Sequence, residues 1–386
     1  LSTHPVIHWT QDEAPHTALW RSENGSPPPG RVIIAGDRLS ADEAYGLACQ
    51  GTALLWRGDF HNARQLLTAL GNRADRRSRH SQRTPTALLP SASPEAFHLY
   101  RQARAQRART LAALLLVLDA GYRVEAARAP DVRRACEEAC GPPQGASVLS
   151  LRALLGLIGA REWRTRGIEI AALRERIHPH YGVFAPVRNE YVDLVATAPL
   201  PPLLATHSLA FDIGTGTGVL AAVLARRGIG RVIATDLDPR ALACAHENIE
   251  RLGLHSQVTI EAADLFPEGR AALVVCNPPW LPARPSSPIE RGIYDPDSRT
   301  LQGFLNLLPR HLEPQGEGWL ILSDLAEHLG LRSRAELLAL FERAELKVLG
   351  REDIRPKHAK VRDPGDALYR ARAAEVTSLW RLARHR

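Results

Sequence analysis

Residues 209–218 read L-A-F-D-I-G-T-G-T-G, an apolar run that breaks into three glycines at alternate positions. The run predicts a buried strand ending at Ile213, followed by a helix over 219–227. Gly214, Gly216 and Gly218 let the backbone turn tightly and come close to a ligand. Open α/β sheets bind ligands at the carboxyl ends of their strands, where this loop sits. A dinucleotide loop, G-x-G-x-x-G, would carry its third Gly one residue later, and the G-K-[ST] of a P-loop is absent.

Downstream the pattern keeps alternating. Strands are expected over 231–235, 258–262, 273–276 and 318–322, with helices over 239–252, 298–312 and 333–344. Ser333 and Glu336 have capping-box spacing. The segments 346–351 and 367–373 are expected as a final pair of strands. Short links between strand and helix imply a mostly parallel sheet covered on both faces.

Two acids and one proline turn fall at the same expected edge. Asp236 ends the second strand in A-T-D-L-D-P, where a carboxylate can accept both hydroxyls of a ribose. Asp264 follows the third strand and can reach an adenine amine. The fourth strand ends in Cys276-Asn277-Pro278-Pro279-Trp280. Consecutive prolines fix φ and remove N–H donors, so their carbonyls lack local partners. The Asn277 oxygen and the Pro278 carbonyl can each hold one N–H of a planar nitrogen whose lone pair is delocalised. They orient it and stabilise charge developing there. Trp280 offers a flat face for stacking.

The first third reads as mostly helical, with helices over 41–56, 60–70, 94–119 and 131–140, and a linker near 72–94. Cys136 and Cys140, four apart, read as core packing, and no metal set is apparent. Apolar residues make up 45% and charged residues 24%, which excludes a mostly disordered chain. The longest apolar run, 111–118, is too short to span a membrane. The opening L-S-T-H-P-V-I-H-W-T lacks the basic and apolar regions of a signal peptide, so a cytoplasmic protein is expected. Net charge is +7, unevenly spread: residues 1–180 hold 24 basic and 17 acidic groups. A basic N-terminal region is a candidate RNA contact. Arginine supplies all but three of the 49 basic residues, which reflects codon usage as readily as a polyanionic partner.

D-I-G-T-G-T-G, T-D-L-D-P and N-P-P-W, in this order, resemble class I S-adenosylmethionine-dependent methyltransferases. More narrowly, they resemble the small-domain N-methyltransferases that include HemK-like enzymes, which methylate a glutamine amide of release factors. The resemblance covers about 178–350. It implies a Rossmann-like domain over 178–386 with a mostly parallel seven-stranded sheet, and the region before it, 1–177, reads from its periodicity as a mostly helical N-terminal domain. It implies S-adenosylmethionine held by Asp212, Gly214, Thr215, Gly216, Gly218, Asp236, Leu237, Asp264, Leu265 and Asn277. Asn277, Pro278, Pro279 and Trp280 would bind the target nitrogen. Phe184, Pro186, Arg188 and Glu190 match an entry segment near the substrate, and Tyr294 a segment covering it. HemK enzymes usually carry N-P-P-Y and P-R-P-E-T, where this chain has N-P-P-W and V-F-A-P-V-R-N-E. The acceptor stays open between a protein glutamine, an RNA base and a small molecule. A nucleic-acid-binding protein with a degenerate domain is the rival from another class, and the intact N-P-P-W disfavours it.

Overall fold

A computed structural model of the 386-residue chain describes residues 5–81, 93–287, 289–357, 363 and 366–385. They fall into two compact units, one within 1–90 and 98–162, the other within 91–97 and 163–386.

The first unit contains β1 (Val6–Gln11), β2 (Ala14–Trp20), β3 (Val32–Ala35), α1 (Ala41–Cys49), β4 (Ala53–Trp56), α2 (Phe60–Ser81), α3 (Pro94–Ala112, which begins in the second unit), β5 (Leu114–Leu118), α4 (Arg133–Cys140), β6 (Ser147–Ser150) and α5 (Leu151–Arg166, which ends there). Its strands form one mixed sheet in the order β1-β2-β6-β5-β4-β3. Helix takes more residues than strand here, and the six-stranded sheet is what the helical expectation for 1–177 did not include. The expected helices over 41–56 and 94–119 each end in a strand, β4 and β5, in which every residue is buried. Such strands show no alternation, so the sequence reads as a continuing helix. The expected linker is also corrected. Helix α2 runs through Ser81, and the rest of the linker up to residue 92 lies outside the described residues.

The second unit begins before residue 178. The hairpin β7 (Ile168–Ile170) with β8 (Glu175–Ile177) packs into its core through Ile168, Ile170 and Ile177. Then follow α6 (Glu190–Thr197), β9 (Leu209–Ile213), α7 (Val219–Arg226), β10 (Arg231–Asp236), α8 (Pro239–Arg251), β11 (Val258–Ala262), β12 (Ala271–Cys276), α9 (Arg299–His311), β13 (Leu312–Ser323), α10 (Leu325–His328), α11 (Arg334–Arg343), β14 (Leu346–Ile354), α12 (Tyr369–Ala374) and β15 (Thr377–Arg384). The seven-stranded sheet has the order β11-β10-β9-β12-β13-β15-β14. Only β15 is antiparallel to its neighbours. The fold is Rossmann-like α/β, with the order reversing between β9 and β12. Open α/β sheets bind ligands at the carboxyl ends of the strands at such a switch point. Apolar layers cover both faces: Ala210, Leu273 and Trp319 on one, Phe211, Val274 and Leu320 on the other. The strand expected over 367–373 is helix α12, and the last strand comes later. Ser333 and Glu336 form the capping box at α11.

Candidate functional site

Ile213 pairs with Thr235 on one side and Cys276 on the other. Gly214, Asp236 and Asn277 therefore leave three adjacent strands at one edge. Gly214 and Gly216 have φ of +70° and +58°, and the space a Cβ would occupy is open at both. Behind the loop, Asp212 Oδ2 accepts the Thr215 hydroxyl at 2.6 Å and the Ala221 N–H at 3.0 Å. Asp212 is 1% exposed, and burial pushes its carboxyl up to about 6 against these hydrogen bonds. Thr215 is likewise buried. The two shape the loop from behind, whereas the resemblance put both around the ligand.

Asp236 accepts the Gly216 N–H on Oδ2 and the Asp238 N–H on Oδ1, each at 3.0 Å. Burial raises its pKa and these backbone donors oppose the rise. The Leu237 backbone N–H also bonds this carboxylate, and of an ionised carboxylate's about four acceptor positions some capacity remains for a hydroxyl. Next to it Leu237 is 69% exposed, an apolar side chain that the fold leaves uncovered. Thr235 donates its hydroxyl to the Leu265 carbonyl, and the Ala263 N–H reaches the Asp236 carbonyl at 3.2 Å. The third strand's loop is thus tied to the second strand's tip. Leu265 has φ of +74°, uncommon for a residue with a Cβ, and Asp264 beside it is exposed.

At the fourth tip, the Trp280 indole N–H donates to Asn277 Oδ1 at 2.9 Å. One lone pair of the Asn277 oxygen is therefore already engaged within the loop. The ring is part-buried against both apolar layers, a fixed wall rather than a loose platform. Leu281 bridges to Tyr294, the Leu281 N–H donates to the Ile293 carbonyl and the Asp295 N–H to the Leu281 carbonyl. The Tyr294 segment therefore runs directly beside N-P-P-W. The Asp295 carboxylate caps α9 through the Thr300 and Leu301 N–H groups.

The entry segment divides. Phe184 packs on Gly292, where an added Cβ would lie 2.7 Å from the Phe184 Cβ. Pro186 is buried. Arg188 faces the buried Glu375 carboxylate at 3.9 Å, and Glu190 Oε1 accepts the Lys357 N–H at 2.7 Å. Both therefore reach residues around β14 and β15, and neither of these contacts reaches the glycine loop.

Residues 199–278 match the family model described as ribosomal protein L11 methyltransferase (PrmA). Over 69 residues the chain is 49% identical to a ribosomal protein L11 methyltransferase of Pelotomaculum thermopropionicum, covering 17% of this chain and 22% of that one. Over 102 residues it is 40% identical to a release factor glutamine methyltransferase of Cereibacter sphaeroides, covering 25% of this chain and 34% of that one. The chain thus spans only about a fifth to a third of the length of these curated relatives. A crystal structure of a ribosomal protein L11 methylase from Lactobacillus delbrueckii subsp. bulgaricus aligns with 55% of this chain and 87% of its own, at 15% identity and a TM-score of 0.37.

The motifs do not include Asn248, whose side chain bonds to the Thr217 carbonyl inside the matched stretch. Its signal was present in the sequence. Ala241, Cys244, Ala245, Asn248 and Ile249 recur at helical spacing on one buried stripe, and Asn248 is the polar member. Among the described residues, no group of His, Cys, Asp or Glu is placed to hold a metal ion. Among the same residues, no helix is long and apolar enough to cross a membrane.

Proposed function

We propose that the second unit transfers a methyl group from S-adenosylmethionine to a planar amide or exocyclic amine nitrogen. The observation that carries this is the exit of the glycine loop, Asp236 and N-P-P-W from three adjacent strands at the switch point. The open backbone at Gly214 and Gly216, the spare acceptor capacity of Asp236 and the uncovered Leu237 fit a nucleoside bearing an amino-acid tail. Gly214, Gly216 and Gly218 would face the methionine end, Asp236 the ribose, and Leu237, Asp264 and Leu265 the adenine. Bound S-adenosylmethionine supplies an electrophilic methyl group.

Asn277 and Pro278 do the work on the acceptor side. A carbonyl oxygen has two lone pairs, so Asn277 Oδ1 can hold the Trp280 N–H and one N–H of the acceptor together. The Pro278 carbonyl holds the second N–H. These acceptors turn the nitrogen lone pair toward the methyl carbon and stabilise positive charge as it develops. The proton then leaves to water, with no strong base required. Trp280 gives a planar acceptor a rigid face.

The acceptor is read as a protein of translation, an amide of the HemK-like type. Relatives named for ribosomal protein L11 and for a release factor glutamine both support a protein of translation. The test is to incubate the whole chain with methyl-labelled S-adenosylmethionine and a cell extract, then separate protein, RNA and small molecules. Label should enter protein, and should vanish with Asn277→Ala. Label in RNA or in a small molecule would move the acceptor to those classes, and no label anywhere would contradict the activity.

A further inference from the structure

Asn248 sits on α8 with 0% exposure, and its amide bonds outside its own helix. Nδ2 donates to the Thr217 carbonyl at 3.0 Å and to the His178 carbonyl at 3.2 Å. Oδ1 accepts the His178 backbone N–H at 2.8 Å. Only an amide with its oxygen toward that N–H and its nitrogen toward the two carbonyls satisfies all three partners. Thr217 belongs to the glycine loop. His178 opens the segment that leads through Tyr181 to Glu190. One side chain therefore clamps the loop to that segment.

A second contact supports this placement. Gly218 has φ of +80°, and a Cβ there would lie 3.3 Å from the Ala245 Cα. The loop is thus pressed against α8 about one turn before Asn248. Cys244, on the same buried stripe, makes a useful contrast. Its Sγ accepts the His180 N–H at 3.3 Å, donates to the His178 carbonyl at 3.5 Å and lies 3.5 Å from Asn248 Nδ2. None of these bonds reaches the loop.

We propose that Asn248 is a positioning residue for the cofactor loop: its amide fixes the Thr217 carbonyl, and with it the turn between Gly216 and Gly218, against the segment beginning at His178. The inference rests on the methyltransferase reading above. Cofactor affinity then depends on a side chain that touches the loop from behind.

The test is calorimetric titration of S-adenosylhomocysteine into the whole chain, as wild type, Asn248→Asp, Asn248→Ala and Cys244→Ala, with thermal denaturation of each. Asn248→Asp keeps the size and the acceptor for His178 but loses the donor to Thr217. Both Asn248 variants should bind at least about fivefold more weakly, the loss expected for a buried carbonyl left unpaired. Cys244→Ala should stay within about twofold of wild type even where its melting temperature falls, since its bonds do not reach the loop. Wild-type affinity in both Asn248 variants would overturn the inference, and so would an equal loss in Cys244→Ala, which would mean packing alone sets the affinity. Failure of the wild type to bind would overturn the methyltransferase reading itself, and the inference with it. If neither Asn248 variant folds, exchange of the His178 backbone N–H in the wild type decides. It should slow at least about fivefold with S-adenosylhomocysteine, and an unchanged rate would overturn the inference.

Discussion

At Asp212 a carboxylate lies under the loop, and its ionisation is linked to stability. Burial raises its folded-state pKa to about 6, above the ordinary value of a free Asp. The folded state therefore holds the proton more tightly than the unfolded state. The stabilisation is complete below about pH 4 and is lost as pH rises through about 6. Asp212→Asn cannot ionise, so wild-type stability relative to this variant should fall by roughly 2–3 kcal/mol between about pH 4 and pH 7. Urea denaturation at several pH values measures this, and a flat difference would contradict it. Asn277 has a different expected signature. Asn277→Ala should abolish turnover and leave S-adenosylhomocysteine affinity nearly intact by calorimetry; loss of cofactor binding would make it a cofactor residue. The acid, the glycines and N-P-P-W were legible as residue types at fixed spacing. The bond from Trp280 to Asn277 was not, because it depends on how two prolines bend the chain between them.

Among the elements, the parallel strands of the second unit were legible because each ends in a breaker or an acid. The segment 377–384 was not, although it lies between two other strands. Its Arg381 looks like a surface residue in the sequence, but its guanidinium makes two 2.8 Å hydrogen bonds to the buried Glu317 carboxylate. A paired charge inside the sheet hides the strand. In the first unit β3, β4 and β5 were hidden for the opposite reason, being apolar throughout. At the α7 start, Gly218 combines a left-handed φ with a close approach to Ala245. Gly218→Ala should destabilise the protein by about 1–3 kcal/mol in thermal or urea unfolding, through backbone strain and the contact together. A variant as stable as wild type would show that the loop can move away from α8.

For the whole molecule, several arginines of the basic N-terminal region have partners within the chain. Arg73 pairs with Asp42, Arg107 with Asp75, and Arg109 bonds Gln106. With a protein acceptor, the whole chain should shift a generic RNA little in electrophoresis, even at low salt. A tight shift whose log–log salt slope is steeper than about −3 would mean four or so phosphate contacts, and would favour an RNA acceptor. The central claim is that the switch-point edge binds S-adenosylmethionine, and one measurement addresses it most directly. Calorimetry of S-adenosylhomocysteine with the whole chain should show one site, weakened at least about tenfold by Asp236→Ala as charge-assisted hydrogen bonds are lost. No binding by the wild type, or unchanged affinity in Asp236→Ala, would contradict the account.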